Sequence, residues 1–592
     1  MKLKNTRPLV ITVVSVLLLF AQLTFGQSLK IKIIETSDVH GVILPYDFIN
    51  DRPLNGSLAH VYSYVEEERE KSDQQVVLLD NGDILQGQPT VYYYNFEKTD
   101  VPNIVSEAFN FMGYDAATVG NHDIETGHPV YDKVRRELNI PWLAANALDV
   151  QTGKPYFTPY QIINVKGVKI VVLGMITPHI PHWLPEKIWE GIRFEDMITT
   201  AQKWVKIIKQ KEHPDVLVGL FHAGVDYSYN NQKREEPLNE NASKLVAEQV
   251  PGFDVVFVGH DHETWNFSVT NSIGKEVLIL GPTSGARNVG VANIEMNYNI
   301  STSSWDKKIT GETVEMKNYA PNVSFLDYFE NSFREVKDYV SKPIGTFTET
   351  ITSEESMFGD SPFMSLIHTI QLQLTGADVS FAAPLSFSSK IDKGTIYVRD
   401  MFNLYRYENL LYTIEMAGQE IKDYLEYASY LWFNQMKSED DHLLNFDVDE
   451  NGNLVYAERT NSPRLKNRYY NFDSAAGINY IVDVSQPKGS KITITSMSDG
   501  TPFDSNKKYK VALNSYRGNG GGNHLTEGAQ IPKKELASRV ITSTEKDLRY
   551  YMMKWIEEQK IVEPHPMGNW KVIPEEWWKK GKEKDDKLLY SR

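Results

Sequence analysis

A series of short apolar runs in the first 300 residues limits the fold more than any other feature. Ile31–Ile34, Val76–Leu79, Ile170–Leu173, Val216–Phe221, Val255–Val258 and Val277–Leu280 are apolar apart from Lys32 and too short for buried helices. Such runs predict strands covered on both faces. Amphipathic stretches lie between several of them, with Ile104, Ala108 and Phe111 at helical spacing before Gly113, and Ala201, Trp204, Val205 and Ile208 later. The alternation predicts a layered α/β domain from Leu29 to about Tyr298. A chain of 592 residues with 41% hydrophobic content exceeds a single core, so a second domain is expected.

A polar interval around Ser301 to Asn318 closes the first domain. Phe325, Tyr328, Phe329, Phe333 and Val336 then share one face of a predicted interdomain helix, Phe325 to Tyr339. A second α/β region runs from about Ile344 to Leu548, with Ser361-Pro362 as cap and first turn of a helix carrying Phe363, Leu366, Ile367 and Ile370. The tail holds Trp555, Trp570, Trp577 and Trp578, expected to pack onto the body. The expected division is a signal segment 1–26, a first domain 27–320, a linker helix 321–343, a second domain 344–549 and a tail 550–592.

Lys2, Lys4 and Arg7 precede an apolar run, Leu9 to Phe25, that ends in Thr24-Phe25-Gly26. This is the pattern of a secretory signal cleaved before Gln27. About 17 residues lie at the short limit for a bilayer span. The reading is therefore an exported protein, periplasmic or secreted, with no stable membrane anchor. The chain has no Cys, which excludes disulfides and a lipidated cysteine. A formal net charge of -16 argues against a nucleic-acid polymer as partner, because polyphosphate affinity comes from Lys and Arg. A small nucleotide remains compatible, since a cation in an acidic site can receive it.

Five short motifs follow the predicted strands: Ser37-Asp38-Val39-His40-Gly41, Asp80-Asn81-Gly82-Asp83, Gly120-Asn121-His122-Asp123, Phe221-His222-Ala223-Gly224 and Gly259-His260-Asp261-His262. Alone, each is weak. In an open α/β sheet, however, the carboxyl ends of strands converge on one crevice. Asp38, His40, Asp83, Asn121, His222, His260 and His262 are too many ligands for one ion and suit two that share a carboxylate. Imidazole and carboxylate without sulfur favour Zn, Mn or Fe. Two such ions suit phosphoester hydrolysis. Asp123 and Asp261 are expected to be solvated loop acids.

In order and type, these motifs resemble the calcineurin-like metallophosphoesterases, and specifically the exported 5'-nucleotidase / 2',3'-cyclic phosphodiesterase family. The resemblance extends over nearly all of the mature chain. It implies an α/β sandwich bearing the metals and a C-terminal α/β nucleotide-binding domain joined to it by a helix. It further implies that Asp38, His40 and His262 hold one ion, that Asn121, His222 and His260 hold the other, and that Asp83 bridges. His122 then stabilises charge on the phosphate or leaving oxygen, oriented by Glu125, which stands where a family member has Asp. Members of the family are thought to open and close by rotating the C-terminal domain.

The 5'-nucleotidase branch has Asn-Gly-Gly and a nearby Arg after the strand that here reads Val379-Ser380-Phe381. This chain has Ala382-Ala383-Pro384-Leu385 instead. The departure, together with Tyr405-Arg406-Tyr407-Glu408-Asn409, favours the 2',3'-cyclic-nucleotide 2'-phosphodiesterase / 3'-nucleotidase branch. A 5'-nucleotidase or nucleotide-sugar hydrolase is the nearest alternative, and a noncatalytic exported binding protein the one from another class. Tyr407 aligns with a base-stacking aromatic of the family. Tyr516 is the candidate for its partner, with Asn519, Gly520 and Gly521 beside the nucleotide.

Overall fold

The computed structural model describes residues 28–229, 232–456 and 462–590. The proposed signal segment lies outside them. Among the described residues no helix is long and apolar enough to cross a membrane.

The first half folds as two six-stranded sheets packed face to face. One runs in the order Ser304–Glu315, Asn288–Asn299, Ser28–Thr36, Gln74–Asp80, Ala116–Thr118 and Trp142–Leu143; the other runs Trp265–Thr270, Glu276–Gly281, Val255–Val258, Val216–His222, Val168–Ile176 and Tyr160–Val165. Every apolar run named above falls within one of these strands. Ile31, Ile33, Val77, Leu79 and Ala292 of the first sheet meet Ile170, Val172, Val218, Leu220 and Phe257 of the second in a dry middle layer. The strands lie covered on both faces because helices close the outside. Leu58–Glu70, Ile104–Met112 and His128–Glu137 pack on the first sheet, and Met197–Lys211 and Ser243–Gln249 on the second.

The central pairings are parallel in both sheets: Ser28–Thr36 with Gln74–Asp80 and Ala116–Thr118 in the first, and Val168–Ile176, Val216–His222 and Val255–Val258 in the second. Their carboxyl ends therefore emerge at one edge of the sandwich. There Asn81 Nδ2 at the end of one sheet donates to the Phe221 carbonyl of the other, 3.1 Å away.

Two expectations need revision. The polar interval after Tyr298 is a 12-residue strand, Ser304–Glu315, at the edge of the first sheet. Its inner face is only half-buried and carries Trp305 and Ile309 with Lys307, Gly311 and Thr313 between and after them, too sparse an apolar alternation to mark it. The stretch read as one interdomain helix is two, Val323–Tyr328 and Glu330–Val340, broken at Phe329. Phe325, Phe329, Val336 and Val340 are buried in the core of the first domain rather than spanning a gap.

The second half centres on a five-stranded mixed sheet in the order Ser474–Ala476, Val379–Ala382, Lys508–Asn514, Leu410–Ala417 and Val540–Asp547. The helix Pro362–Thr375 begins as expected, with the Ser361 hydroxyl accepting from Met364 N. The tail is integrated into this half. Trp570 lies in a strand beside Ile478–Asp483 and stacks on Tyr480, while Trp578 Nε1 donates to the Phe358 carbonyl and Trp555 Nε1 to Gln373.

Phe257, fully buried between the two sheets, tests the dry layer. Phe257→Ala is expected to lower stability by about 3–5 kcal/mol, the usual cost of an aromatic-to-Ala cavity. Denaturant titration of the first-domain transition reads this directly.

Candidate active site

At the shared edge of the sandwich, the five loops bring their polar side chains together. Asp38, His40 and His262 form one group and Asp83, His222 and His260 another, each with ligand atoms within 4.8 Å of one another. Asn121 Oδ1 completes the second group, 3.1 Å from His222 Nε2 and 2.8 Å from His260 Nδ1. His262 Nε2 lies 3.0 Å from His40 Nε2 and 3.3 Å from Asp38 Oδ1. All seven expected ligands thus converge on one place, although residues 38 and 262 are far apart in sequence.

The hydrogen-bond logic of the cluster fits a cation. His40 Nδ1 is within reach of the Gln86 carbonyl at 3.2 Å, and His222 Nδ1 of the Asn81 carbonyl at 2.6 Å. Donating those protons outward leaves each Nε2 as a bare lone pair. His222 Nε2 then faces Asp83 Oδ2 at 3.1 Å as well as Asn121 Oδ1. Lone pairs packed against lone pairs repel unless a cation or a proton stands among them; burial disfavours charge on His222, but Asp83 beside it raises it to about 10. Asp38, Asp83 and His222 are almost wholly buried, so solvent does not screen the contacts. Carboxylate, amide and imidazole ligands with outer nitrogens held by acceptors are a donor set suited to a divalent transition ion.

Backbone geometry sets the cost of this convergence. Asp38, His40, Asp83, His260 and His262 all have positive φ, between 49° and 78°. Left-handed backbone is uncommon outside Gly and concentrates at sites where the surrounding structure over-determines it. Close approach adds a second requirement at Gly120, where a Cβ would stand 2.1 Å from Asp83 Oδ1.

Asp123 and Asp261 are not solvated loop acids. Asp123 is fully buried; its Oδ1 accepts from the backbone N–H groups of Ile84 and Leu85, and its Oδ2 from those of Asp83 and Gly120. The turns at Asp83 and Gly120 leave those donors without carbonyl partners, and one carboxylate answers all four. Asp261 accepts from Val225 N and from Trp265 Nε1 at 3.0 Å each.

His122 stands beside the cluster. Its backbone N–H donates to Asp83 Oδ1 at 2.7 Å, and its Nδ1 lies 2.5 Å from Glu125 Oε2. Burial disfavours its charged form, but the Asp83 and Glu125 carboxylates outweigh burial and raise it to about 9. The ring belongs to neither ligand group, and a single turn, Asn121–Glu125, fixes its distance from Glu125.

The second half faces this edge. The Tyr407 ring lies parallel to His122, 6.5 Å between centroids. The Tyr516 ring lies against Gly521, where a Cβ would come within 2.6 Å. Asn519 Nδ2 donates across the junction to the Trp183 carbonyl at 3.3 Å, so this side chain ties the halves together. Tyr92 OH donates to Asp547 Oδ2 at 3.0 Å as a second tie.

Two buried arginines that sequence reasoning did not identify hold these aromatic loops. Arg517 bonds Asp473 and the carbonyls of Tyr470 and Gly521. Arg549 bonds Glu408 and the carbonyls of Tyr405 and Arg406, bracketing Tyr407. Only adjacency to Tyr516 could have drawn attention to Arg517, and no local signal marks Arg549.

Residues 31–264 match the family model for calcineurin-like phosphoesterases, and residues 343–527 that for the 5'-nucleotidase C-terminal domain. The chain is 25% identical to a 2',3'-cyclic-nucleotide 2'-phosphodiesterase/3'-nucleotidase of Yersinia enterocolitica, over 87% of this chain and 84% of the relative. It is also 25% identical to a trifunctional nucleotide phosphoesterase protein of Bacillus subtilis, over 94% of this chain but spanning only 40% of that relative. Among solved structures, a Staphylococcus aureus protein described as a 5'-nucleotidase superposes with a TM-score of 0.73 at 21% identity, over 92% of this chain and 99% of the other. A phosphoesterase domain followed by a nucleotidase C-terminal domain, on this fold, makes the chain a member of the two-domain 5'-nucleotidase family of metal-dependent phosphoric ester hydrolases.

Proposed function

We propose that the chain is a dinuclear-metal hydrolase of nucleotide phosphoesters, acting as a 2',3'-cyclic-nucleotide 2'-phosphodiesterase and 3'-nucleotidase after export by its leading segment. The observation that carries this reading is the cluster of lone-pair donors, which stands in two groups with Asp83 beside both His222 and the His122 turn. Asp38, His40 and His262 would hold one ion and Asn121, His222 and His260 the other, with Asp83 shared between them; Zn, Mn or Fe suits these ligands. When bound, two such ions neutralise phosphoryl charge and lower the pKa of water from about 15.7 towards 7.

The remaining steps belong to side chains. Glu125 accepts from His122 Nδ1, so His122 presents Nε2 to the phosphate or the leaving oxygen and holds a proton there. Tyr407 and Tyr516 stack on the base, a contact worth about 1–3 kcal/mol per base. Asn519, Gly520 and Gly521 border the nucleotide. The cyclic-ester branch is favoured by Ala382-Ala383-Pro384-Leu385 in place of the basic residue expected for a 5'-nucleotidase, and by the name of the Yersinia relative.

Purified protein supplied with Mn or Zn is expected to cleave 2',3'-cAMP and 3'-AMP in preference to 5'-AMP and UDP-glucose. Preference for 5'-AMP would move the assignment to the 5'-nucleotidases, and no hydrolysis of any of the four would make it a binding protein. Asp83→Ala is expected to abolish hydrolysis. His122→Ala should reduce kcat by roughly 10² to 10⁴, the range of a proton-transfer contribution, with metal content by elemental analysis unchanged. A fall in metal content instead would identify His122 as a ligand. Replacing Tyr407 and Tyr516 together with Ala should impair cleavage of nucleotides far more than that of bis(p-nitrophenyl) phosphate, which offers no base. Equal losses on both would assign these rings to the fold.

A further inference from the structure

Three histidines of the cluster have their outer ring nitrogen placed by a named acceptor, and one of the three is unlike the others. For His40 and His222 that acceptor is a backbone carbonyl. For His260 it is a carboxylate: Nε2 lies 3.2 Å from Glu240 Oε1. The Glu240 side chain is 6% exposed, and its other oxygen, Oε2, lies 3.3 Å from His179 Nδ1.

The carboxylate is held in place from several directions. Glu240 N donates to Gln232 Oε1 at 3.0 Å, and the Glu240 carbonyl accepts from Thr177 Oγ1 at 3.0 Å. On either side of it, Asn239 and Asn241 pin the same loop to the carbonyls of Tyr227 and Asp226. The indole of Trp183 covers one face of the His260 ring, with centroids 5.5 Å apart and planes 29° from parallel. His260 is therefore fixed in its plane by Glu240 and against its face by Trp183. Glu240 reaches the ring from the side opposite Nδ1, the atom that points into the ligand group beside Asn121.

We propose that Glu240 is a positioning residue for the ion site formed by Asn121, His222 and His260: its carboxylate accepts the Nε2 proton of His260, keeps the lone pair on Nδ1, and makes that nitrogen a stronger ligand. A carbonyl fixes a tautomer in the same way but brings no charge. A carboxylate adds a full negative charge to the far side of the imidazole and raises its basicity. Of the two ion sites, this one takes a neutral amide where the other takes the Asp38 carboxylate, so the outer charge of Glu240 compensates for a weaker donor.

The inference rests on the dinuclear reading, and Zn binding by the full-length protein tests the two separately. Zn affinity is measured by competition with a chelating fluorophore for the wild type, Glu240→Gln and Glu240→Ala, with thermal unfolding in excess chelator as the measure of fold alone. The wild type is expected to bind two ions. Glu240→Ala should weaken one of them by about 10- to 100-fold, the usual effect of removing an outer hydrogen-bond partner, and leave the other within twofold. Glu240→Gln should fall between, because its amide oxygen still accepts the Nε2 proton but carries no charge. Wild-type affinity at both sites in either variant, or an equal loss at both, overturns the proposal. One ion per wild-type chain defeats the dinuclear reading instead, and the affinity of that ion in Glu240→Gln still decides the role of Glu240.

Discussion

The mutual repulsion of buried lone pairs is the constraint on which this protein is organised. Asp38 and Asp83 must be ionised to be ligands, yet both sit at the floor of the site with essentially no solvent contact. Burying an unpaired carboxylate is expensive, and several together would be prohibitive without compensation. Burial pushes Glu35 and Asp80, close by, well above the usual carboxylate range, which disfavours further charge there, and they accept hydrogen bonds from Asn81, Thr36 and Gly82. The remaining charge is what the proposed ions would balance.

The same constraint explains where the strain lies. Five residues of the cluster accept left-handed backbone because strand ends from two sheets must turn sharply inward within one or two residues. Such turns strip backbone N–H groups of carbonyl partners, and Asp123 collects four of them from both the Asp83 and Gly120 turns. Removing Asp123 therefore leaves donors, not merely an acid, without partners. The sandwich supplies the rigidity that makes this tolerable, since its dry middle layer fixes both sets of strand ends.

The parts legible in the sequence were those that obey a period or a motif. Strands covered on both faces read as short apolar runs, and the candidate ligands stood out because Asp, Asn and His recurred after them. The edge strand Ser304–Glu315 was illegible because its half-buried face offers only Trp305 and Ile309, with Lys307, Gly311 and Thr313 at the other inward positions. The aromatic face after Asn322 marked a helix, but spacing alone could not show that Phe325 and Phe329 turn into the first domain. Asp123 was misread because its partners are backbone groups, which have no sequence signature. Glu240, Arg517 and Arg549 escaped for a related reason: each acts through a residue distant in sequence, so only the fold gives it meaning.

The arginines bear on selectivity as well. Among the described residues, Arg517 and Arg549 are the buried arginines of the second half, and each is engaged by a carboxylate, Asp473 or Glu408, and by backbone carbonyls. Their charge is spent on holding the loops of Tyr407 and Tyr516, and the strand end at Ala382 to Leu385 adds no cation. On the proposed reading these rings meet the base as uncharged surfaces, and the charge of the phosphate is left to the ions that the seven-residue cluster would hold. Net charge does not then separate the monoesters, since 3'-AMP and 5'-AMP both carry close to two negative charges at neutral pH. The choice between them falls to where the base rings stand relative to the cluster, and Tyr407, parallel to His122 at 6.5 Å, sets that distance.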